Sequence, residues 1–324
     1  MGNETILVGD AGGTNVRFAL AHVVDGRLAL SEPWKRPGSD FPTFDDALDA
    51  FLRETGARPT GAAFGFAGAV SHGRVSLLHR AWSVDRAALA DKLGVARVVV
   101  VNDFFAMARG AAEIPFSEMD EIAPGQADEE GTIAVGGPGT GFGIAVLRRA
   151  AHGWVVVAGE GGHQTFSPLT DLEWRVAENL RERDIYVSNE IIAAGAGFDE
   201  TRAALAAAMG LPDPKSSQAD VIAAAGAGDV FALEFCRLRA RCVMTSMGNL
   251  ALSAYATGGI RLAGGVSQHL SPWLREPGVL ARFHQRGPRT DLLSRIPIHL
   301  IAGQSAPLIG AAHLWRDEQA RGWL

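Results

Sequence analysis

Gly9-Asp10-Ala11-Gly12-Gly13-Thr14-Asn15 lies between the apolar runs 5–8 and 16–20. A strand that enters a glycine turn and leaves as a second strand makes an antiparallel hairpin; a doubly wound nucleotide fold would place a helix there instead. No Gly-Lys-Ser/Thr follows, so the turn is not a P-loop. The segment after it reads as a strand, so it is not the dinucleotide fingerprint either. The pattern returns at Gly136-Gly137-Pro138-Gly139-Thr140-Gly141, between runs 132–135 and 142–147. Glycine has no Cβ, so backbone can approach a ligand and aim N–H groups at it. Between the two turns, the valine run 98–101 ends in Asn102-Asp103, a carboxylate where ligands collect in open α/β sheets. Two phosphate cradles and one poised acid point to ATP-dependent phosphoryl transfer to a small alcohol.

Around these turns, strand signals at 6–8, 16–21, 62–66, 98–101, 132–135, 142–147, 154–158, 260–263 and 298–301 alternate with helical ones. Such alternation means an α/β protein. Phe44, Leu48, Phe51 and Leu52 share one helix face. Residues 83–93 read as a helix closed by Gly94. Thr170-Asp171-Leu172-Glu173 is a capping-box pattern. A long, largely apolar helix is predicted from 230 to about 252, a loop at 212–217, and a last helix from about 307 to 320. The two glycine hairpins form a weak internal repeat. A pseudo-duplicated architecture would set them facing one another across a cleft. The expected division is a small α/β domain of residues 1–105 plus about 304–324, and a large one of about 106–303.

With 324 residues, 47% hydrophobic and 20% charged, the chain can bury a sizeable core. Its net charge of −6 and lack of any Lys/Arg cluster speak against a nucleic-acid partner. Cys236 and Cys242 sit six apart in one predicted helix, off a common face. No metal-binding Cys/His spacing exists, so buried free thiols are expected rather than structural zinc. The N-terminus reaches a strand by Thr5 without a basic segment and is not read as a signal peptide. No stretch approaches the roughly 20 apolar residues of a membrane helix. A cytoplasmic protein with no membrane partner is the expectation.

Each motif also carries a plainer reading. Asp10 at a strand end suits Mg²⁺ held through water, because Mg²⁺ keeps much of its hydration. Thr14, Asn15 and the turn amides suit β/γ-phosphate oxygens, and Arg17 would help order the turn. Asp, Gly and Asn also favour ordinary turns. Asp103 suits a general base, and Asn102-Asp103 equally suits a helix N-cap; both can hold at once. Glu160 and His163, three apart in Gly159-Glu160-Gly161-Gly162-His163, offer acceptors and a donor to a polyhydroxy ligand. They also fit a partial metal site or a satisfied turn. Read alone, Glu190 in Val187-Ser188-Asn189-Glu190 is a solvated helix-capping acid. Gly264-Gly265 ends a strand, either to admit a flat group such as adenine or as a plain strand-to-helix turn.

Together and in order, LVGDAGGTNVRFAL (7–20), VVVVNDFFA (98–106), GPGTGFG (137–143), GEGGH (159–163), VSNE (187–190) with GAGF (195–198), GGIRLAGG (258–265) and LIGAAHL (308–314) resemble the bacterial glucokinase family. This is the non-zinc hexose-kinase branch of the sugar kinase, heat-shock chaperone and actin superfamily. The resemblance implies a two-domain actin-like ATPase fold, related to ribonuclease H, with a cleft between a small and a large domain. It implies ATP and Mg²⁺, a hexose substrate, a role in glycolysis and a homodimer. Gly9, Asp10, Ala11, Gly12, Gly13, Thr14 and Asn15 correspond to the family's phosphate loop, and Gly139, Thr140 and Gly141 to its second. Gly264 and Gly265 correspond to its adenosine-side turn. Asp103 matches the base that takes the proton of the sugar 6-hydroxyl. Asn102, Asp103, Glu160, His163 and Glu190 match the sugar-binding set, which for Glu190 reverses the plainer reading.

The expected reaction is thus phosphorylation of D-glucose to glucose 6-phosphate. The alternatives are a kinase for another hexose or amino sugar, or a non-catalytic sugar sensor. Two departures bear on the sugar: Leu78-His79 stands before Trp82 where the family usually has Thr-Asn, and Phe66-Ala67-Gly68-Ala69-Val70 lacks a common Pro.

Overall fold

A computed structural model describes residues 4–321 except 25–26, 69, 78–81 and 152. Leu78, His79 and Ala69 thus lie outside the described residues. By their contacts, the described residues form two compact units, one within 1–115, 149–157 and 303–324, the other within 116–148 and 158–302.

The first unit opens with β1 (Thr5–Ala11), β2 (Asn15–Val24), β3 (Arg27–Leu30), β4 (Trp34–Pro37), α1 (Phe44–Thr55) and β5 (Gly61–Phe66). Three short strands follow, β6 (Val70–Ser71), β7 (Arg74–Ser76) and β8 (Ser83–Asp85), then α2 (Arg86–Leu93), β9 (Val98–Asn102) and α3 (Asp103–Ala111). The expected helix at 83–93 is therefore shorter. Residues 83–85 pair with β7, and Asp85 caps α2 by accepting from the Ala87 and Ala88 amides.

The main sheet runs β3-β2-β1-β5-β9, with β4 also on β2. β1 and β2 are the antiparallel hairpin read from the glycine turn, and β5 and β9 run parallel to β1. Successive side chains on a strand face opposite ways. Leu7 therefore joins Phe18, Phe44 and Phe64 in one cluster with α1, while Ile6 and Val8 join Leu308 and Trp315 in another with α3 and α12 (Ala306–Arg321). At the α3–α12 contact, a Cβ on Gly110 would collide with the Ala306 carbonyl, and one on Gly310 with the Ala106 carbonyl. Buried Arg109 on α3 donates to Asp317 on α12, at 2.7 Å from Nε. These contacts seat the helix that begins at Asp103.

The second unit contains β10 (Asp120–Ala123), β11 (Ile133–Pro138) and most of β12 (Phe142–Ala150); the end of β12 and most of β13 (Gly153–Gly159) group with the first unit. Helices α4 (Asp171–Glu182), α5 (Asn189–Ala193), α6 (Phe198–Met209), α7 (Gln218–Gly226) and α8 (Val230–Ala254) come next. β14 (Ile260–Leu262), α9 (Gly265–Leu274), α10 (Pro277–His284), α11 (Thr290–Leu293) and β15 (Ile298–Leu300) complete it. Its sheet order is β10-β15-β14-β11-β12-β13. Again an antiparallel hairpin, β11–β12, is extended by two parallel strands, β14 and β15. The repeat seen in the sequence is thus a repeat of topology. The capping box at Thr170 forms with Glu173, and α8 is buried along much of its length. Cys236 and Cys242 are free, buried thiols on α8. Among the described residues, no helix is long and apolar enough to cross a membrane.

Candidate active site

In the first unit, Asp10 is 7% exposed at the end of β1, paired across the hairpin with Arg17. Arg17 Nη1 donates to Asp10 Oδ2 at 3.0 Å. Burial pushes the Asp10 carboxyl up to about 6; the Arg17 guanidinium works against this, and the Asp103 charge adds to it. The two acids are thus near enough to repel. Gly12, Gly13 and Thr14 form the turn, closed by Gly12 N–H to Asn15 O at 3.1 Å and held by Gly38 N–H to Thr14 O at 2.9 Å. A Cβ at Gly12 would meet nothing nearer than 3.8 Å.

Two of the predicted loop residues do other work. Gly9 lies inside β1, where a Cβ would come within 2.6 Å of Phe64 and 2.8 Å of Phe18. Ala11 is buried in the same aromatic cluster. Packing alone demands small residues at both positions.

Asn102 ends β9 and caps α3. Its Oδ1 accepts from Phe104 N–H at 2.9 Å and Phe105 N–H at 3.2 Å, and its Nδ2 donates to Gly68 O at 3.2 Å. Of the two sequence readings of the pair, the helix N-cap is seen, with Asn102 as the cap. Asp103, one residue later, accepts from Phe104 N–H at 2.8 Å. Burial raises the Asp103 carboxyl above the ordinary range, while the Phe104 amide and its own pull it back. A carboxylate partly stripped of water binds a proton more tightly than a solvated one, the property asked of a general base.

In the second unit, the Gly139-Thr140-Gly141 turn is gripped from two sides. Gly195 N–H donates to Gly139 O at 2.9 Å and Ala196 N–H to Thr140 O at 2.8 Å. On the other side, Glu190 Oε2 accepts from Phe142 N–H at 2.7 Å. A Cβ at Gly141 would sit 2.7 Å from that same oxygen. Glu190, which read alone looks like a solvated capping acid, is instead tied to the turn, and Ser188 is the residue that caps α5. Glu190 Oε1 lies 3.9 Å from His163 Nε2. Glu160 precedes and His163 ends a single 3₁₀ turn seated on β12, where a Cβ on Gly162 would strike the Phe142 carbonyl. Glu160 and His163 are both exposed. The structure therefore brings Glu190, His163 and the second turn together.

Gly264, at φ +91°, turns β14 into α9, and a Cβ there would strike the Pro138 carbonyl. Gly265 opens α9 with nothing within 4 Å of a Cβ and no side chain capping the helix. The plainer strand-to-helix reading holds, and it leaves helix N-terminal amides suited to an anionic or polar ligand. Gly12 in the first unit and Gly265 in the second each leave open space beside the backbone. Among the described residues, no group of three His, Cys, Asp or Glu could hold a metal. A single carboxylate such as Asp10 suits Mg²⁺ that keeps its water and phosphate ligands.

Sequence reasoning missed Arg239, whose buried side chain bonds to the end of α5. It is the middle of three arginines, Arg237, Arg239 and Arg241, between Cys236 and Cys242, and nothing local sets it apart.

The family model for glucokinase matches residues 7–318. A relative named glucokinase from Nitrobacter hamburgensis is 38% identical over 316 residues, covering 95% of this chain and 96% of its own. One from Mesorhizobium japonicum is 33% identical over 319 residues, covering 98% and 93%. Among solved structures, the crystal structure of glucokinase from an Antarctic psychrotroph superposes with a TM-score of 0.87 at 31% identity, over 97% of this chain and 99% of that one. Both the duplicated hairpin-and-parallel-strand topology and these matches across nearly the whole length place the chain in the glucokinase family, with the actin-like ATPase fold of such sugar kinases.

Proposed function

We propose that this protein is a kinase that transfers the γ-phosphoryl group of ATP to the 6-hydroxyl of D-glucose, giving glucose 6-phosphate and ADP for glycolysis. Membership of the glucokinase family supports the reaction class. The observation that carries the mechanism is Asp103, a desolvated carboxylate fixed where β9 meets α3. Asp103 orients the 6-hydroxyl and takes its proton as O6 bonds to the γ-phosphorus and the bond to the β-phosphate oxygen breaks; the proton then leaves to solvent. Asn102 keeps the helix start rigid. Glu160, His163 and Glu190 hold ring hydroxyls, and a sugar that lacks one leaves its partner unpaired.

The turn amides at Gly12–Thr14 and Gly139–Gly141 hold phosphate oxygens, and Gly264–Gly265 lies on the adenosine side. Asp10 would hold Mg²⁺ through the ion's water ligands, and the ion would there supply charge neutralisation to the phosphates. Catalysis in such transfers is mostly positioning and charge stabilisation. A cytoplasmic homodimer accompanies this reading on the family resemblance; sedimentation velocity tests the dimer.

The deciding experiment is sugar-dependent ADP release from Mg·ATP with glucose beside fructose, mannose and N-acetylglucosamine. Turnover with glucose at the highest kcat/KM is expected. ADP release with another sugar alone would keep the mechanism and change the substrate. Sugar binding without any ADP release would sink the kinase reading.

A further inference from the structure

Arg239 sits on α8 with 2% of its surface exposed. Its Nε and Nη2 both donate to one acceptor, the Ala193 carbonyl, at 3.2 and 2.8 Å. Among the described residues no carboxylate pairs with it. The Phe198 and Phe235 rings lie 5.6 and 5.4 Å from the guanidinium carbon. A buried cation without a counter-ion is costly, and an apolar residue of similar volume would usually serve stability as well or better. Stability alone therefore does not account for an arginine here.

Its acceptor does account for it. Ala193 is the last residue of α5, where the chain straightens at Ala194 and leaves two residues whose amides hold the second turn. Cys242, one helical turn further along α8, contacts the Asn189 carbonyl at the other end of α5, at 3.6 Å. Thus α8 fixes both ends of the five-residue helix that carries Glu190. That helix grips the hairpin at Phe142 through Glu190, and its exit grips Gly139 and Thr140. The link runs from Arg239 to the Ala193 carbonyl by hydrogen bonds, along the backbone through Ala194, and from the Gly195 and Ala196 amides to the turn by hydrogen bonds again.

We propose that Arg239 is a positioning residue: through the Ala193 carbonyl it sets the α5 exit that shapes the Gly139-Thr140-Gly141 turn for phosphate, without touching substrate. This rests on the reading of that turn as a phosphate site.

The test compares Arg239→Met and Arg239→Lys with the natural protein by three measurements: thermal unfolding, hydrogen exchange of the Gly195 and Ala196 amides without nucleotide, and kcat and KM for ATP. R239M should unfold at or above the natural temperature. It should nevertheless exchange those two amides at least about tenfold faster, since local opening reports the contacts that hold a segment. Its kcat/KM for ATP should fall by up to about 10²-fold, the scale of a turn misplaced by an ångström. R239K, which keeps a charge and a donor, should recover most of both. Natural amide protection in R239M, or lost protection with unchanged kinetics, overturns the proposal. Should R239M not fold, Arg239→Gln decides, because its shorter side chain loses the paired donation to the Ala193 carbonyl: natural amide exchange and natural ATP kinetics in a folded R239Q overturn the proposal. A natural protein that releases no ADP with any sugar overturns the functional reading and this one together. Unaltered ATP KM in Thr140→Val overturns the phosphate turn, whatever Arg239 does.

Discussion

The two glycine hairpins share a topology and differ in what surrounds their turns. The first carries charge: Asp10 beside Arg17, with Asp103 close enough to raise it. The second turn has no acid of its own. Its shape comes from hydrogen bonds out of α5 and the segment after it, reaching Gly139, Thr140 and Phe142. One repeat has become the chemical half, where burial tunes two carboxylates. The other has become a frame, where Glu190 and the Gly139-Thr140-Gly141 turn share one support. A duplicated fold divides labour this way because a hairpin turn fixes only backbone direction; side chains from elsewhere decide its use.

The comparison breaks most sharply at Asp103. Asp103→Asn keeps the shape and the acceptor for the Phe104 amide but cannot take a proton at neutral pH. We expect kcat to fall about 10²- to 10⁴-fold, the range for loss of a general base, with the unfolding temperature little changed. Near-normal turnover in a folded D103N would remove the chemical half from the first unit. In the natural protein, kcat should decline on acidification from a pH above the ordinary carboxylate range, because burial holds Asp103 protonated longer. An acid limb near 4 would contradict that burial.

Asp10 gives the next largest effect, on stability. Its carboxyl rises from 3.8 to about 6 on folding. A group with a raised native pKa favours the folded state fully below its unfolded value and loses that contribution as pH climbs through its native value. In chelator-treated protein, this site should therefore lose about 2 kcal/mol of stability between pH 4 and 7, most of what a shift of about two units is worth at about 1.4 kcal/mol each. Urea denaturation at both pH values reads it. Asp10→Asn should lack that slope, and Mg²⁺ with ADP should restore stability at pH 7 to the natural protein more than to D10N. Equal slopes in the two proteins would refute the tuning.

Within the first turn, two glycines should separate cleanly. Gly9→Ala forces a methyl group against Phe18 and Phe64 and should cost about 1–3 kcal/mol by overpacking, with little change in ATP KM. Gly12→Ala has open space and should cost almost no stability while raising ATP KM. A reversed outcome would mean that Gly9, not the turn tip, faces the nucleotide.

Local features were legible in the sequence. The hairpins, the Asn102 cap, the Thr170 box and the long α8 each depend on residues a few positions apart. What escaped depends on distant partners. The strands β6, β7 and β10 are two to four residues long, too short to show a period. Residues 83–85 read as helix because the capping Asp85 lies inside the apparent helical run. Gly9 and Ala11 looked like loop residues, and only the aromatic cluster assembled from β2, α1 and β5 reveals them as core. Glu190 looked solvated because its partner, the Phe142 amide, lies 48 residues away. In each case the deciding contact is one that chain connectivity does not announce.

The smallest effect is the most informative about the frame. Glu190 has two tasks, accepting from the Phe142 amide and, in our reading, from a sugar hydroxyl. Glu190→Gln keeps a carbonyl acceptor for the amide and loses the charge, so glucose KM should rise about tenfold, as for loss of one charge-assisted hydrogen bond, while ATP KM stays near its natural value. Glu190→Ala removes both tasks. The Phe142 amide loses its partner, the turn loosens, and ATP KM should rise along with glucose KM. The contrast between the two variants isolates the coupling: if alanine, like glutamine, leaves ATP KM untouched, the second turn does not depend on α5. The frame would then reduce to a sugar site that merely lies beside a phosphate turn.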